Sequence, residues 1–242
     1  MALTGTDRGT GTHQTSASSF TLNPGSNFTA GALAVLCIAA DNSSTGGSTN
    51  NISSVTDSLG NLWRARQLPI FDNGSASAGV QGGIFTTDQS AGTLQTGTTV
   101  TVSFGAATVA KTWTLMEVTA AAGSQALVLP GANGTGSSWP TVTTGTIEVG
   151  DMVIAMVAME AGTTQTLTSD ADTTNGTWSA AQYNEIRSSS SGSAIGSQRK
   201  VQTTTASTQT FNPTLGLPCD LICSWISVRE IAPKKLALAG VG

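Results

Sequence analysis

The sequence predicts an all-β protein: an antiparallel β-sandwich, jelly-roll-like, made of two pseudo-repeated halves with extended terminal arms. Three observations predict it. No window keeps a 3.6-residue apolar period for long. Short β-branched and aromatic runs alternate throughout with clusters of Gly, Asn, Asp and Ser. Three sequence anchors also occur twice, in the same order. With 242 residues, 38% of them apolar, the chain can bury a substantial core. Only 10% are charged, so the surface should be rich in hydroxyls and poor in charge.

In chain order, residues 1–17 are almost entirely Gly, Thr, Ser and other polar types, and read as an N-terminal arm. The first β half is expected over 18–119, with strands near 18–22, 31–41, 51–57, 61–70, 79–89, 97–104 and 110–119. Residues 120–139, including GANGTGSS at 131–138, read as a crossover linker. The second half, 140–231, is expected to carry strands near 140–147, 150–160, 164–169, 177–187, 193–204, 207–212 and 219–231 and to pack with the first. Pro233 stops the last strand, and 232–242 read as a C-terminal arm.

The repeat rests on residues. GALAVLCIAAD at 31–41 is matched by GDMVIAMVAME at 150–160; GNLW at 60–63 by NGTW at 175–178; and KTWTLMEV at 111–118 by CSWISVREI at 223–231. The separation is 119 residues from Gly31 to Gly150, 115 from Trp63 to Trp178 and 112 from Trp113 to Trp225. Two related halves with unequal loops would give that drift. The continuous apolar runs 33–40 and 152–159 do not alternate, so both faces of those strands should be covered. VTDSLGNLW at 55–63 reads as a register-setting hairpin in which Gly60 takes the positive φ and the turn delivers Trp63 into the sandwich.

A formal charge of −4 with no basic stripe argues against nucleic acid, and no apolar run is long enough to span a bilayer as a helix. The opening residues carry no basic and apolar signal-peptide pattern, so folding in a cytoplasm is expected. Three cysteines, Cys37, Cys219 and Cys223, without framework spacing read as small buried thiols rather than a disulfide scaffold.

Candidate chemistry is thin. Triads and zinc sites mostly need imidazole, and the single histidine, His13, falls in the N-terminal arm, where it should be solvated. No catalytic motif brings two acids together, so no catalytic residue, cofactor or metal is assigned and the chain is not expected to be an enzyme. The acids of SDADTTNG at 169–176 could offer calcium oxygens, but a turn whose Asp side chains accept local N–H groups explains them better. Trp63, Trp113, Trp178 and Trp225 are expected in packing rather than on a ligand face. Trp139 in the linker, with Leu236 and Leu238 in the C-terminal arm, are the interface candidates.

Taken together, GALAVLCIAADN, SSVTDSLGNLW, GTTVTVSF, KTWTLMEVT, GDMVIAMVAMEAG and CSWISVREI resemble a group of β-sandwich virion proteins of tailed bacteriophages, over roughly 28–231. The resemblance implies a structural role, as a capsid decoration or cement protein or a tail component. It implies the major capsid protein or other virion proteins as partners, a homo-oligomer (trimer or dimer), and localisation in a virion assembled in the bacterial cytoplasm. The competing expectation is a tail-associated or surface adhesin, a carbohydrate-binding module using Trp63 or Trp139 for host glycans.

Overall fold

The computed structural model describes residues 3–41, 49–71, 79–121, 125–136, 142–161, 163–187 and 192–231. Among them there is no helix. The strands are β1 (Thr4–His13), β2 (Ala17–Leu22), β3 (Leu33–Asp41), β4 (Ile52–Asp57), β5 (Arg64–Gln67), β6 (Ile70–Phe71), β7 (Val80–Thr87), β8 (Val100–Thr108) and β9 (Lys111–Thr119). They continue as β10 (Gln125–Gly136), β11 (Val142–Ile147), β12 (Met152–Glu160), β13 (Leu167–Thr168), β14 (Gln182–Arg187), β15 (Gly192–Val201), β16 (Ala206–Gln209), β17 (Thr214–Leu215) and β18 (Leu221–Ile231).

Two large antiparallel sheets form the centre. One runs β1-β9-β3-β7-β5, with β6 also on β7; the other runs β10-β18-β12-β15-β14. Taken position by position, the two orders are the same order, with β1, β9, β3, β7 and β5 corresponding to β10, β18, β12, β15 and β14. The outer strands correspond as well. Strands β2-β8-β4 cover the first inner sheet, and the short pairs β11-β16 and β13-β17 cover the second, so β8 is one strand where its counterpart is broken in two.

Three cores lie between these layers. Phe20, Ile38, Trp63, Val102 and Trp113 belong to the first outer core, and Val153, Val157, Trp178, Phe211 and Trp225 to the second. Between the inner sheets Val35, Ile84, Met116, Ile154, Met156 and Ile226 form a third. In β3, Ala34, Leu36 and Ile38 face the outer core while Val35, Cys37 and Ala39 face the central one. All nine residues of β3 are buried, which is why the strand is apolar at every step from Leu33 to Ala40 rather than at every second one. The same division holds in β12.

The inner sheets pack so that β14 lies against β1 and β9, and β15 against β9 and β3; correspondingly β5 lies against β10 and β18, and β7 against β18 and β12. Exchanging the two halves maps this contact set onto itself, the signature of a two-fold relation, here within one chain. The matched glycines have a backbone reason. Gly31 (φ 75°) and Gly150 (φ 90°) both open their strands in the left-handed region, where any other residue is strained.

Two segments depart from the sequence expectation, and they are each other's counterparts. Residues 4–13, expected within a free arm, are β1, paired with β9 from Thr4↔Thr119 to His13↔Lys111. Residues 125–136, expected within a linker, are β10, paired with β18. Both are edge strands, and in β1 the small residues make room for a neighbour rather than marking a break. A Cβ on Gly11 would come within 2.6 Å of the Trp113 ring, and Ala132 sits opposite Trp225 in β10. The stretch 55–63 is not a hairpin either. Strand β4 pairs with β8 in an outer sheet and β5 with β7 in an inner one, so the turn is a corner between layers. Trp139, Leu236, Leu238 and the expected C-terminal arm lie outside the described residues.

Candidate functional site

The corner at 55–63 shows how the side chains that sequence offers for chemistry are used. Asp57 ends β4, and its Oδ1 accepts the N–H groups of Leu59 (2.9 Å) and Asn61 (3.2 Å). Its Oδ2 accepts the indole Nε1–H of Trp63 at 2.7 Å. Asn61 carries the lock onward: its Oδ1 accepts from Ala91 and Gly92, and its Nδ2 donates to the Gly92 carbonyl. Gly60, at φ 81°, closes the turn by donating to the Asp57 carbonyl.

Its counterpart, 169–178, works by the same means over a longer loop. Asp170 accepts the N–H groups of Asp172 (2.8 Å) and Asn212 (2.9 Å). Asp172 accepts the Thr174 N–H (2.8 Å) and the Thr210 hydroxyl (3.1 Å), and these bonds, the Thr174 N–H first, hold its pKa below the ordinary carboxylate value. These oxygens are used as turn acceptors, as the Asx reading of the loop expects. Among the described residues no three His, Cys, Asp or Glu side chains gather as metal ligands would.

Other acids are held in the same way. Glu117 accepts from the Arg8 guanidinium and from Thr29 N–H and Oγ1–H. Asp151 takes a two-pronged contact from Arg229. Glu160 accepts the Gly79 N–H at 3.1 Å; burial, with the Asp220 charge adding to it, raises its pKa. The sequence does not show that adjacency, because β12 and β18 meet only through sheet pairing.

His13, expected to be solvated, ends β1 half-buried, with its ring 5.8 Å from that of Phe20. Burial, then the Lys111 charge, lowers its pKa. Lys111 itself is fully buried; its Nζ donates to the carbonyls of Thr15, Thr108 and Val109, and burial lowers its pKa to about 8. The thiols are free and unreactive by environment: burial pushes Cys37 up to about 12, Cys219 up to about 11, and Cys223 higher still. All four paired indoles are buried in the outer cores, at 8% exposure for Trp63 and Trp113, 6% for Trp178 and 1% for Trp225, so none offers a stacking face.

Among the described residues an open feature is a groove of about 280 Å³ where β5 and β7 meet β10. Arg64 and Arg66 line it together with Thr86, and Ala126, Leu127 and Val128 form the opposite wall. The half-buried Arg66 donates from Nε to Thr86 Oγ1 at 2.8 Å. Burial, then the neighbouring Arg64 charge, lowers its pKa. Among the described residues neither guanidinium has an ion-pair partner, whereas Arg8, Arg187, Arg199 and Arg229 each have one. Sequence reading missed this groove because it combines β5 with β10, a segment taken for a linker.

Comparison with known proteins finds no matching family model, no matching curated protein and no matching solved structure.

Proposed function

We propose that the chain is a non-enzymatic structural protein of a tailed-phage virion, a capsid decoration or cement protein that binds the major capsid protein through its β-sandwich surfaces and residues 232–242. The observation that carries this reading is where the reactive side chains go. Asp57, Asp151, Asp170, Asp172 and Glu117 are spent as acceptors that fix corners and strand edges, and of the thiols Cys37 and Cys223 are buried and Cys219 half-buried. The same motifs that carry the resemblance to phage virion proteins thus have structural work to do. A sparsely charged surface adds to this, since few long Lys and Glu side chains must be immobilised when it is covered. The adhesin alternative loses four of its five indoles to the outer cores.

The test is co-sedimentation with shells of the major capsid protein. The full chain is expected to pellet with shells at saturable stoichiometry, and a chain ending at Ile231 to bind more weakly with an unchanged melting temperature. Failure of the full chain to bind any shell would refute the reading. Removing residues 4–13 is not a test of binding, because it removes β1 from the sheet.

A further inference from the structure

The internal two-fold relation supplies a template for the Arg64–Arg66 groove. Arg199 pairs with Ile154 across β12 and β15, as Thr86 pairs with Val35 across β3 and β7, and Val35 and Ile154 hold the same place in their strands. Asp7 pairs with Met116 in β9, as Val128 pairs with Val228 in β18; Met116 and Val228 each lie three residues after the matched Trp. In one copy of the contact, therefore, Arg199 and Asp7 face each other and form an ion pair. In the other, the corresponding residues are Thr86 and Val128. Neither carries a carboxylate, yet β5 brings in two guanidinium groups, and the acid that lines the groove is Asp88.

Arg66 has five N–H donors, of which one is used on a described residue, and a like charge beside it. A carboxylate entering the groove would complete donors that are partly withdrawn from water. The walls specify more than charge. Leu62 is 59% exposed and Leu127 43%, and Leu33 and Ala126 line the groove with them. Asp88 also lines the groove, which disfavours a dianion such as phosphate more than a single carboxylate. The cavity is larger than one carboxylate needs and matches a side chain with its flanking residues.

We propose that the groove between β5, β7 and β10 binds an Asp or Glu side chain flanked by apolar residues on a partner polypeptide, doing from outside what Asp7 does for Arg199 from within. That the partner is a neighbouring virion chain rests on the function proposed above; the groove's chemistry does not.

The experiment uses the isolated full chain. Amide resonances are followed while it is titrated with acetyl-Ala-Leu-Glu-Leu-Ala-amide, with the Gln version of that peptide, with acetate and with inorganic phosphate. Saturable shifts are expected at Arg64, Arg66, Thr86 and Val128, with the Glu peptide at least about tenfold tighter than each of the others. Arg64→Gln should weaken the Glu peptide by about tenfold without changing the melting temperature, because Arg64 is exposed. Val128→Asp should suppress peptide binding by supplying the carboxylate internally. Equal binding of the Gln peptide, of acetate or of phosphate would overturn the proposal, as would unchanged peptide affinity in Arg64→Gln or the absence of saturable shifts at these residues. Such a failure is separable from failure to bind shells, since no shell is present.

Discussion

Replacing Trp63 by Phe and, separately, Trp178 by Phe should have unequal costs, although the two indoles occupy matched positions and are buried to the same degree. Each substitution loses a similar strip of buried apolar area, worth about 1 kcal/mol. At Trp63 it also removes the N–H held at 2.7 Å by the Asp57 carboxylate, a charge-assisted bond worth about 1.5–3 kcal/mol. At Trp178 the indole nitrogen is buried without a hydrogen-bond partner among the described residues. Deleting it relieves a penalty of about 1–3 kcal/mol. Against that relief stands part of the interaction with Lys200, whose Nζ lies 4.6 Å from the ring centroid, a term of about 0.5–1 kcal/mol. Trp63→Phe is therefore expected to destabilise by about 3 kcal/mol and Trp178→Phe by at most about 1 kcal/mol. Equilibrium urea unfolding at pH 7, followed by far-ultraviolet circular dichroism, measures both. Equal costs, or a larger cost at Trp178, would refute the assignment of Asp57 as the anchor of the first corner.

The same internal comparison singles out Ser224, whose buried hydroxyl has no partner among the described residues. Its counterpart Thr112 bonds Ser193 at 3.1 Å, but the residue matching Ser193 in β7 is Val80, so Ser224→Ala should stabilise by about 1 kcal/mol in the same unfolding assay. Lys111 predicts a pH dependence. Its folded pKa of about 8 lies below its ordinary value of 10.5, so between those values the unfolded chain binds more protons and stability must rise with pH. The penalty is fully present below about pH 8; its relief by pH 10.5, up to about 3 kcal/mol, should vanish in Lys111→Met. At pH 8 an aromatic disulfide reagent should leave all three thiols of the native chain unmodified over minutes and label all three in urea; rapid native labelling of Cys37 or Cys223 would contradict their burial.

What the sequence made legible follows from which signals survive translation into a pattern. Strands such as β3 and β12 announce themselves because both faces are covered, and their opening glycines because only glycine tolerates the backbone there. The Trp pairs were legible for the same reason, since each fills an equivalent place in an outer core. Strands β1 and β10 were not. In β1, Gly5 and Gly11 leave room for the Arg199 side chain and the Trp113 indole, and the Gly-rich composition of both strands is also that of a loop. The corner at Asp57 was misread as a hairpin because turn chemistry specifies a reversal but not the sheet in which the next strand pairs. The groove was hidden on both counts: one wall is β10, and its charge pattern has meaning only beside the Asp7–Arg199 pair, 192 residues apart in sequence.

The proposed structural role is tested most directly by electron cryomicroscopy of tailed-phage capsids assembled with and without the chain. The account predicts density for the paired sandwiches bound at repeated sites on the outside of the capsid shell, lost from particles assembled without the chain. Complete particles of normal stability that carry no such density, with the chain left in the soluble fraction, would contradict it.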